Sequence, residues 1–401
     1  MAVPKFSSQV PYDWKTRKKY LDLPFPSSEY ERRLDRIRGE MEKKNLDTLL
    51  IFGDAGDPGD LVYVGNFIPF GRACIVLHAN QPPVLVTDAV LHGEPINTYA
   101  WMTWIRQYVP VRHSAKEYSQ AISEIFRKLR SKRVGIVGME NISMSIWTEL
   151  STDCQVHWEN FWTDFTRVKS VRSNMEVTLC KETGRITVQA MKAAVESIKV
   201  GVTEREITAT ANKVMFEEGA HDRSFQTIVN SGPKGGLKHS YPTDRKMKPG
   251  DLVYLDMGAM LYGYQSDMSR SVVVGGKANE EQKQVLDVVH NAYVTLTKMM
   301  KPGTKTSTIV SKAHELEQES KLRVKFGNRM YLGLAVHHAI ATSFFEFPSL
   351  GLPDTGLQRN MSFAFEPMAH ILDFGTAVIE DTMLITSKGS ESITPFELVH
   401  W

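Results

Sequence analysis

The sequence contains little cysteine and no long apolar run. Only three cysteines occur among 401 residues, far apart and without a CxxC pair. This excludes a disulfide scaffold and a cysteine-based zinc finger, and it fits a reducing compartment. No apolar run reaches the roughly 18 residues needed to span a bilayer. The first residues also lack the apolar centre of a signal peptide. We therefore expect a cytoplasmic protein that has no membrane partner.

The chain also lacks an excess of charge of either sign. Its 48 basic and 46 acidic side chains leave a formal net charge of +2, which argues against nucleic-acid binding by bulk electrostatics. Hydrophobic residues make up 42% of the chain and charged residues 23%, so the composition is that of a globular protein. At about 150 residues per domain, the length predicts two or three domains.

The first part of the chain alternates between helical and strand patterns. Ser28 and Glu31 have the spacing of a capping box at a helix start. Thr48–Phe52 reads as a buried strand, Ala115–Leu129 as a helix and Arg133–Val137 as another strand. This alternation predicts an α/β domain, which we place at residues 1–168.

The second part groups its strands around helix pairs. Two further capping boxes, Ser173 with Glu176 and Thr203 with Glu206, predict two helix starts. A longer helix is predicted over Glu280–Lys301. This organisation predicts an α+β domain over residues 169–401. The runs that we interpret as strands are Phe225–Val229, Leu252–Met257, Ser271–Val274, Met361–Phe365 and Ala377–Ile385.

Four acidic residues interrupt the apolar strands of this second domain. They are Asp256, Asp267, Glu366 and Glu380. A lone carboxylate inside a buried strand is costly. Asp267 follows Asp256 by eleven residues, a spacing that suits two adjacent hairpin strands. Each acid taken alone could instead face solvent at a sheet edge or pair with Lys or Arg; the four together favour a cluster.

Clustered carboxylates predict bound metal. Four such groups would repel one another strongly, and two divalent cations would offset their charge. His337 and His338 follow another apolar run, and carboxylates with one imidazole suit Mn²⁺, Co²⁺, Fe²⁺ or Zn²⁺ rather than copper. Two such ions can lower the pKa of a shared water and polarise a scissile carbonyl.

The motifs around these residues resemble one family over nearly the whole chain. The sequence is similar to the pita-bread family of methionine aminopeptidase, prolidase, aminopeptidase P and creatinase, and most similar to its creatinase/prolidase branch. Five separated motifs occur in the family's order. They are Asn230 to His239, Asp256–Gly258 with Gly263–Arg270, His338–Ala341 with Glu346–Pro348, Phe365–Pro367, and Ile379–Asp381.

The resemblance implies a creatinase-type N-terminal domain, a pita-bread catalytic domain and a homodimer. It implies that Glu366, besides being a metal ligand, is the general base and that His239 faces the substrate. We choose His338 over His337 as the ligand because it lies eight residues before Glu346, the family's spacing. His337 is then either a packed neighbour or a residue that contacts the substrate. The metal ligands implied are Asp256, Asp267, His338, Glu366 and Glu380.

Three positions depart from the family's pattern. Alanines 339 and 341 stand where the family's HGIG motif has glycines, and Phe345 stands where peptidase members carry a second histidine. Val378 stands where prolidase-like members often have an arginine. These histidine and arginine side chains hold the substrate's peptide oxygen or carboxylate, so the departures imply an apolar pocket.

One segment of the first domain suggests a replacement for the missing arginine. The stretch from Phe67 to Arg72, which includes Phe70, resembles the segment by which creatinase-type dimers reach a carboxylate in the neighbouring pocket. Arg72 would then pair with an anionic substrate group, since guanidinium binds carboxylate through two hydrogen bonds. The alternative is an Arg72 that only stabilises the fold or lies on the surface.

The sequence therefore predicts a dinuclear-metal hydrolase acting on an amide or other C–N bond. The expected substrate is a small, carboxylate-bearing molecule or short peptide, with Xaa-Pro dipeptidase or aminopeptidase activity as the first expectation. The alternatives are a non-peptidase member, such as a creatinase-like hydrolase or a lyase of the dimethylsulfoniopropionate type, and a catalytically inactive binding module.

Overall fold

The computed structural model describes residues 18–19, 21–88, 103–112, 114–237, 239–335, 337–343, 346, 354 and 356–398. The chain divides into two compact units, Met1–Lys169 and Ser170–Trp401. Within the described ranges, none of the helices combines the length and the apolar character that a membrane span requires.

The first unit is built on a mixed six-stranded sheet flanked by helices. The strand order is β4-β3-β2-β1-β5-β6. Its elements are α1 (Ser27–Lys43), β1 (Thr48–Asp54), α2 (Gly59–Gly65), β2 (Arg72–His78), β3 (Val84–Thr87), β4 (Gln107–Pro110), α3 (Ala115–Leu129), β5 (Arg133–Val137), a 3₁₀ turn (Met139–Asn141), α4 (Met144–Asp153), β6 (His157–Asn160) and α5 (Trp162–Ser170).

The central strand β1 is buried on both faces. It pairs antiparallel with β2 and parallel with β5. Alternate side chains of a strand point to opposite faces, so Leu49 and Ile51 enter one hydrophobic cluster while Leu50 and Phe52 enter the other. The continuous apolar run in the sequence follows from this double burial, and the α/β character predicted for this unit is confirmed.

The capping box predicted at Ser28 and Glu31 is wrong. Helix α1 begins at Ser27, and the residue at its N-cap position is Pro26, which makes no side-chain cap. Proline holds its backbone φ near −65° and donates no hydrogen bond, and Pro26 has a φ of −66°. Ser28 therefore lies inside the first turn rather than ahead of it.

The second unit combines helices, five of them among its described residues, with antiparallel strands. Both capping boxes predicted here, at Ser173 with Glu176 and at Thr203 with Glu206, are confirmed. The third predicted helix begins at Glu280 as expected but ends at Thr297. The helices are α6 (Asn174–Ser197), α7 (Glu204–Glu217), α8 (Glu280–Thr297), α9 (Thr306–Ser320) and α10 (Leu322–Phe326), with 3₁₀ turns at Gly232–Gly236 and Gly327–Arg329.

The strands of this unit form one large sheet and one small sheet. The order in the large sheet is β13-β16-β17-β12-β9-β8, with β14 on β15, and β15 and β18 on β17; the small sheet is β11-β10-β7. The strands are β7 (Asp222–Arg223), β8 (Ile228–Ser231), β9 (Leu252–Met257), β10 (Ala259–Leu261), β11 (Tyr264–Gln265), β12 (Met268–Val273), β13 (Met330–Gly333), β14 (His337–Ala339), β15 (Ser362–Phe365), β16 (Met368–Ile371), β17 (Gly375–Ile385) and β18 (Ser390–Ser392).

Two predicted strands are displaced along the chain. The strand predicted at Phe225–Val229 begins at Ile228, because its pairing with β9 starts opposite Asp256 and β9 ends one residue later, at Met257. The strand predicted at Ser271–Val274 begins three residues earlier, at Met268. Strand β9 has the predicted bounds.

The helices cover one face of the large sheet. Val253 and Leu255 of β9 pack into a cluster with α6 and α7, while Ala377 and Ile379 of β17 pack into a cluster with α8 and α9. Because side chains alternate along a strand, the residues between them point to the opposite face. That face carries the acidic residues described next.

Candidate metal centre

Neighbouring strands bring the five predicted ligands into register. Asp256 of β9 lies opposite Ser269 of β12, and Ser269 lies opposite Glu380 of β17. Asp267 immediately precedes β12. The backbone amide of Asp267 donates to Thr382 Oγ1 at 2.8 Å, which ties it to β17.

The remaining two candidates come from the strand pair β14–β15. His338 of β14 lies opposite Ala364 of β15, and Glu366 follows that strand directly. Strand β15 in turn pairs with β17, since Phe365 lies opposite Asp381. Residues more than 100 positions apart in the chain therefore meet on one face of the sheet.

The five side chains form two overlapping groups of three. Asp267, His338 and Glu380 make one group, and Asp256, Glu366 and Glu380 make the other; within each group the potential ligand atoms lie within 4.8 Å of one another. His338 Nε2 lies 3.5 Å from Asp267 Oδ2. Glu380 belongs to both groups, so one carboxylate is shared by the two sets of potential ligands.

Burial makes this concentration of acid unfavourable without cations. Asp256, Asp267, Glu366 and Glu380 are each at most 9% exposed. Among the described residues, no lysine or arginine forms an ion pair with Asp256, Asp267 or Glu380. Desolvation, and then the charge of Asp267, raises the pKa of Asp256 and of Glu380 well above the ordinary value. Desolvation raises the pKa of Asp267 to about 7.

The free oxygens of the cluster fit divalent cations. Oδ1 of Asp256 and Oδ1 of Asp267 are buried and have no hydrogen-bond donor within the described part of the chain. Other oxygens are held: Tyr254 Oη donates to Asp256 Oδ2 at 2.5 Å, and Ser269 Oγ donates to Glu380 Oε2 at 2.6 Å. A buried polar atom without a partner is costly, and a divalent cation would remove that cost. Oxygen donors with one imidazole suit such ions.

The structure separates His338 from its neighbour His337. Only His338 joins the carboxylates in the groups of potential ligands among the described residues. Adjacent strand residues point to opposite faces, and His337 directs its Nδ1 to the carbonyl oxygen of Ala335. The prediction that His337 contacts substrate stays a prediction.

His239 lies in an exposed turn that follows the 3₁₀ turn at Gly232–Gly236. Its backbone has a φ of +54°, a conformation that few non-glycine residues adopt. Asn230 braces this loop: its Nδ2 donates to the carbonyl of Leu237 at 3.1 Å, and its Oδ1 accepts from Ser240 Oγ at 2.7 Å. The predicted role of His239 facing the substrate stays a prediction. Phe345 lies outside the described residues.

Arg72 and Phe70 belong to the first unit. Arg72 begins β2, where its amide donates to Asp88 Oδ1 at 3.0 Å and its carbonyl accepts from Tyr118 Oη at 2.7 Å. The Arg72 guanidinium makes no hydrogen bond or ion pair with any residue that the structure describes, and Phe70 is 64% exposed. Their predicted contact with substrate stays a prediction.

An apolar cluster occupies the position two residues before Glu380. Val378 is fully buried and packs with Ile228, Tyr254 and Met368. These side chains lie on the same sheet face as Asp256 and Glu380. Tyr254 and Val378 each lie two residues before one of these acids on the same strand. Ile228 lies opposite Asp256, and Met368 lies opposite Val378. The side chains packed beside the acids are therefore largely apolar, with the Tyr254 hydroxyl and the His370 imidazole as polar groups.

Two features of the site escaped the sequence analysis. Tyr254 was read only as part of an apolar strand, although its spacing of two from Asp256 was a signal that both share a face. The second feature is the ion pair between Arg172 and Glu346, which joins residues 174 positions apart. No local pattern in the sequence indicates that pair.

Family models identify both parts of the chain. Residues 178–387 match the model of metallopeptidase family M24, and residues 33–173 match the creatinase/prolidase N-terminal domain. The first match spans more than half of the chain. The chain belongs to metallopeptidase family M24. The predicted membership in the creatinase/prolidase branch is thereby confirmed.

Individual relatives extend over almost the whole chain. The Xaa-Pro dipeptidase of Pyrococcus horikoshii is 30% identical over 365 residues, which cover 89% of this chain and 95% of that protein. The Xaa-Pro dipeptidase of Pyrococcus furiosus is 27% identical and covers 91% of this chain and 98% of its own. These relatives identify this M24 protein as a metal-dependent hydrolase, as we predicted from the sequence.

Solved structures confirm the predicted fold. The prolidase of Pyrococcus horikoshii superimposes with a TM-score of 0.77 at 24% identity, covering 92% of this chain and 99% of that one. The X-Pro aminopeptidase of Thermotoga maritima gives 0.78 at 22% identity, covering 91% and 98%. Membership of M24 implies divalent metal ions, and the buried acids with His338 are the described residues that suit them.

Proposed function

We propose that this protein is a dinuclear-metal hydrolase that cleaves the amide bond of a dipeptide or similarly small substrate. The observation that carries the proposal is the shared position of Glu380 in two groups of three potential ligands. Each group would hold one cation, and Glu380 belongs to both groups. The proposed ligands are Asp256, Asp267, His338, Glu366 and Glu380.

The chemistry follows from the donor set. Two divalent cations held by these side chains would supply Lewis acidity to the scissile carbonyl and make a nearby water more acidic. Glu366 would accept the proton of the attacking water and pass it to the leaving amine, the role of a general base followed by a general acid. His239 would face the substrate and donate to the reacting group. Oxygen-rich ligation favours Mn²⁺, Co²⁺, Fe²⁺ or Zn²⁺.

The relatives support a short peptide as the substrate. Two relatives that cover 89% and 91% of this chain are Xaa-Pro dipeptidases, and the proposed site carries the hydrolytic groups that such a reaction uses. A dipeptide bears a carboxylate at its far end, and Arg72 is the proposed partner of that carboxylate. The homodimer that the resemblance implies is part of the proposal, and light scattering of the purified protein tests it.

One observation favours a second candidate, a hydrolase of a non-peptide C–N bond. The side chains that pack against Val378 are Ile228, Tyr254 and Met368, and none of these three is a cation that could hold a carboxylate. A substrate with an uncharged or apolar end would fit against these side chains. The metal centre would act on such a substrate in the same way, and only the pairing of a substrate carboxylate with Arg72 would be absent.

A release assay separates the two candidates. Metal-stripped protein reloaded with Mn²⁺ or Co²⁺ is incubated with Xaa-Pro dipeptides, their C-terminal amides and Met-initial peptides, with Glu366→Gln as the inactive control. We expect metal-dependent release of free proline from the dipeptides. Preferred cleavage of the amides would show that the peptidase needs no anionic anchor. The absence of metal-dependent release from every one of these peptides would contradict the peptidase proposal and leave the second candidate.

A further inference from the structure

Tyr254 contacts the acidic cluster directly. It lies two residues before Asp256 on β9, so both side chains point to the same face of the sheet. Tyr254 is fully buried, and its hydroxyl donates to Asp256 Oδ2 at 2.5 Å. Hydrogen bonds to charged acceptors are the short and strong ones.

This hydrogen bond distinguishes the two oxygens of Asp256. Oδ2 is held by the phenol, whereas Oδ1 is buried and has no donor within the described ranges. One oxygen of Glu380 is also held by a hydroxyl, because Ser269 Oγ donates to its Oε2 at 2.6 Å. In both cases a hydroxyl fixes one oxygen of the carboxylate.

The ring of Tyr254 is itself held in place. It meets His370 edge-to-face, with ring centroids 5.9 Å apart, and it packs in the cluster with Met368 and Val378. His370 Nδ1 lies 2.5 Å from Thr376 Oγ1. Thr376 Oγ1 donates to the carbonyl of Gly235, so His370 Nδ1 is the donor to that hydroxyl. Such support fixes the orientation of the phenol.

We propose that Tyr254 is a positioning residue that holds Asp256 Oδ2 and presents Oδ1 to a divalent cation. The inference rests on the proposed metal centre, and it adds a residue that orients one of its ligands. Partners that hydrogen-bond to metal ligands commonly contribute 10- to 100-fold to metal affinity. Tyr254→Phe removes the hydroxyl and keeps the ring, so it isolates this contribution.

Tyr264→Phe provides a matched control. Tyr264 is also a fully buried tyrosine of this unit, and its hydroxyl donates to a buried carboxylate, Glu176 Oε1, at 2.9 Å. Glu176 caps helix α6 and is not among the five proposed ligands. Both variants lose one buried phenol–carboxylate hydrogen bond, and only one of them affects a proposed ligand.

The test is Mn²⁺ titration of the metal-stripped full-length proteins. Tyr254→Phe should bind Mn²⁺ about 10- to 100-fold more weakly in at least one step, and Tyr264→Phe should match the wild type within about twofold. The visible absorption of the Co²⁺-loaded protein should change only in Tyr254→Phe. A purely structural role would lower the melting temperature of the metal-free protein without changing the increase that Mn²⁺ produces.

Two outcomes would overturn the inference in different ways. Wild-type affinity, Co²⁺ absorption and metal-induced increase in melting temperature in Tyr254→Phe would show that the hydroxyl does not position the ligand, and would leave the proposed function intact. Failure of the wild-type protein to bind Mn²⁺ or Co²⁺ would remove the proposed metal centre together with the role of Tyr254.

Discussion

Arg172 and Glu346 form an ion pair in which each side chain is only 1% exposed. Glu346 also accepts hydrogen bonds from the amide of Thr342 at 3.0 Å and from the amide of Ser343 at 2.9 Å. The carboxylate thus holds the chain that follows β14, the strand that carries His338. Loss of one partner would leave the other charge buried without its counter-ion.

Arg172→Met should therefore destabilise the protein strongly. Breaking a buried ion pair costs about 3–5 kcal/mol of unfolding free energy, and urea unfolding of the metal-free protein measures it. Arg185→Met is the control, because the Arg185–Glu218 pair has side chains that are 44% and 37% exposed and such pairs contribute about 0–1 kcal/mol. Equal losses of unfolding free energy in the two variants would show that burial does not strengthen the Arg172–Glu346 pair.

Glu366→Gln should remove turnover while the fold persists. The amide keeps the shape of the side chain but cannot accept a proton, and loss of a general base commonly costs about 10²–10⁴-fold in rate. Steady-state kcat on the substrate found by the release assay is the measurement. Glu391→Gln, on exposed β18, is the control and should keep wild-type kcat. A near-native kcat in Glu366→Gln would show that another group is the base.

The metal-free protein should become less stable as pH rises from about 4 to about 8. Burial raises the pKa of Asp267 from 3.8 to about 7 in the folded state, so over this window the native protein binds more protons than the unfolded chain, and unfolding becomes easier as pH increases. Thermal melting in the presence of chelator at several pH values measures how steeply the melting temperature falls with pH. This fall should be less steep in Asp267→Asn.

Metal loading should oppose that trend. Cations require deprotonated ligands, so the stabilisation that they provide grows with pH. The melting temperature gained on adding Mn²⁺ should therefore be larger at pH 8 than at pH 5. A gain that is the same at both pH values would indicate that the carboxylates do not bind the ion.

Arg72→Ala should raise KM for a substrate that carries a carboxylate. Removing one partner of a desolvated charge pair costs about 2–5 kcal/mol, which corresponds to roughly 30-fold or more in KM. Metal content should not change, because Arg72 is not a proposed ligand. Arg127→Ala, an exposed position in the same unit, is the control. An unchanged KM in Arg72→Ala would leave Arg72 with a structural role only.

Local patterns predicted much of the fold. The capping boxes at Ser173 and Thr203 specify their helix starts because the contacts involved span only three residues. The pattern at Ser28 failed because a proline two residues earlier begins the helix sooner than the serine would. The strand that begins at Ile228 was placed too early, since apolar residues alone do not reveal where the partner strand β9 ends.

The site was predictable where a charged residue interrupts an apolar strand. Asp256 and Glu380 stand out because a carboxylate within an apolar strand needs a specific reason. Arg172 and Glu346 do not stand out, since their partnership depends on how distant segments fold together. Tyr254 was overlooked because a tyrosine is an ordinary strand residue, and only the contact with Asp256 reveals its role.

The most direct test of the account is the metal content of the purified protein. Elemental analysis after purification without chelator and reloading with Mn²⁺ or Co²⁺ should give up to two ions per chain. Glu380→Gln should lose most of both, because Glu380 belongs to both groups of potential ligands, whereas Asp256→Asn should lose mainly one. A stoichiometry near zero for the wild-type protein under every loading condition would contradict the dinuclear centre.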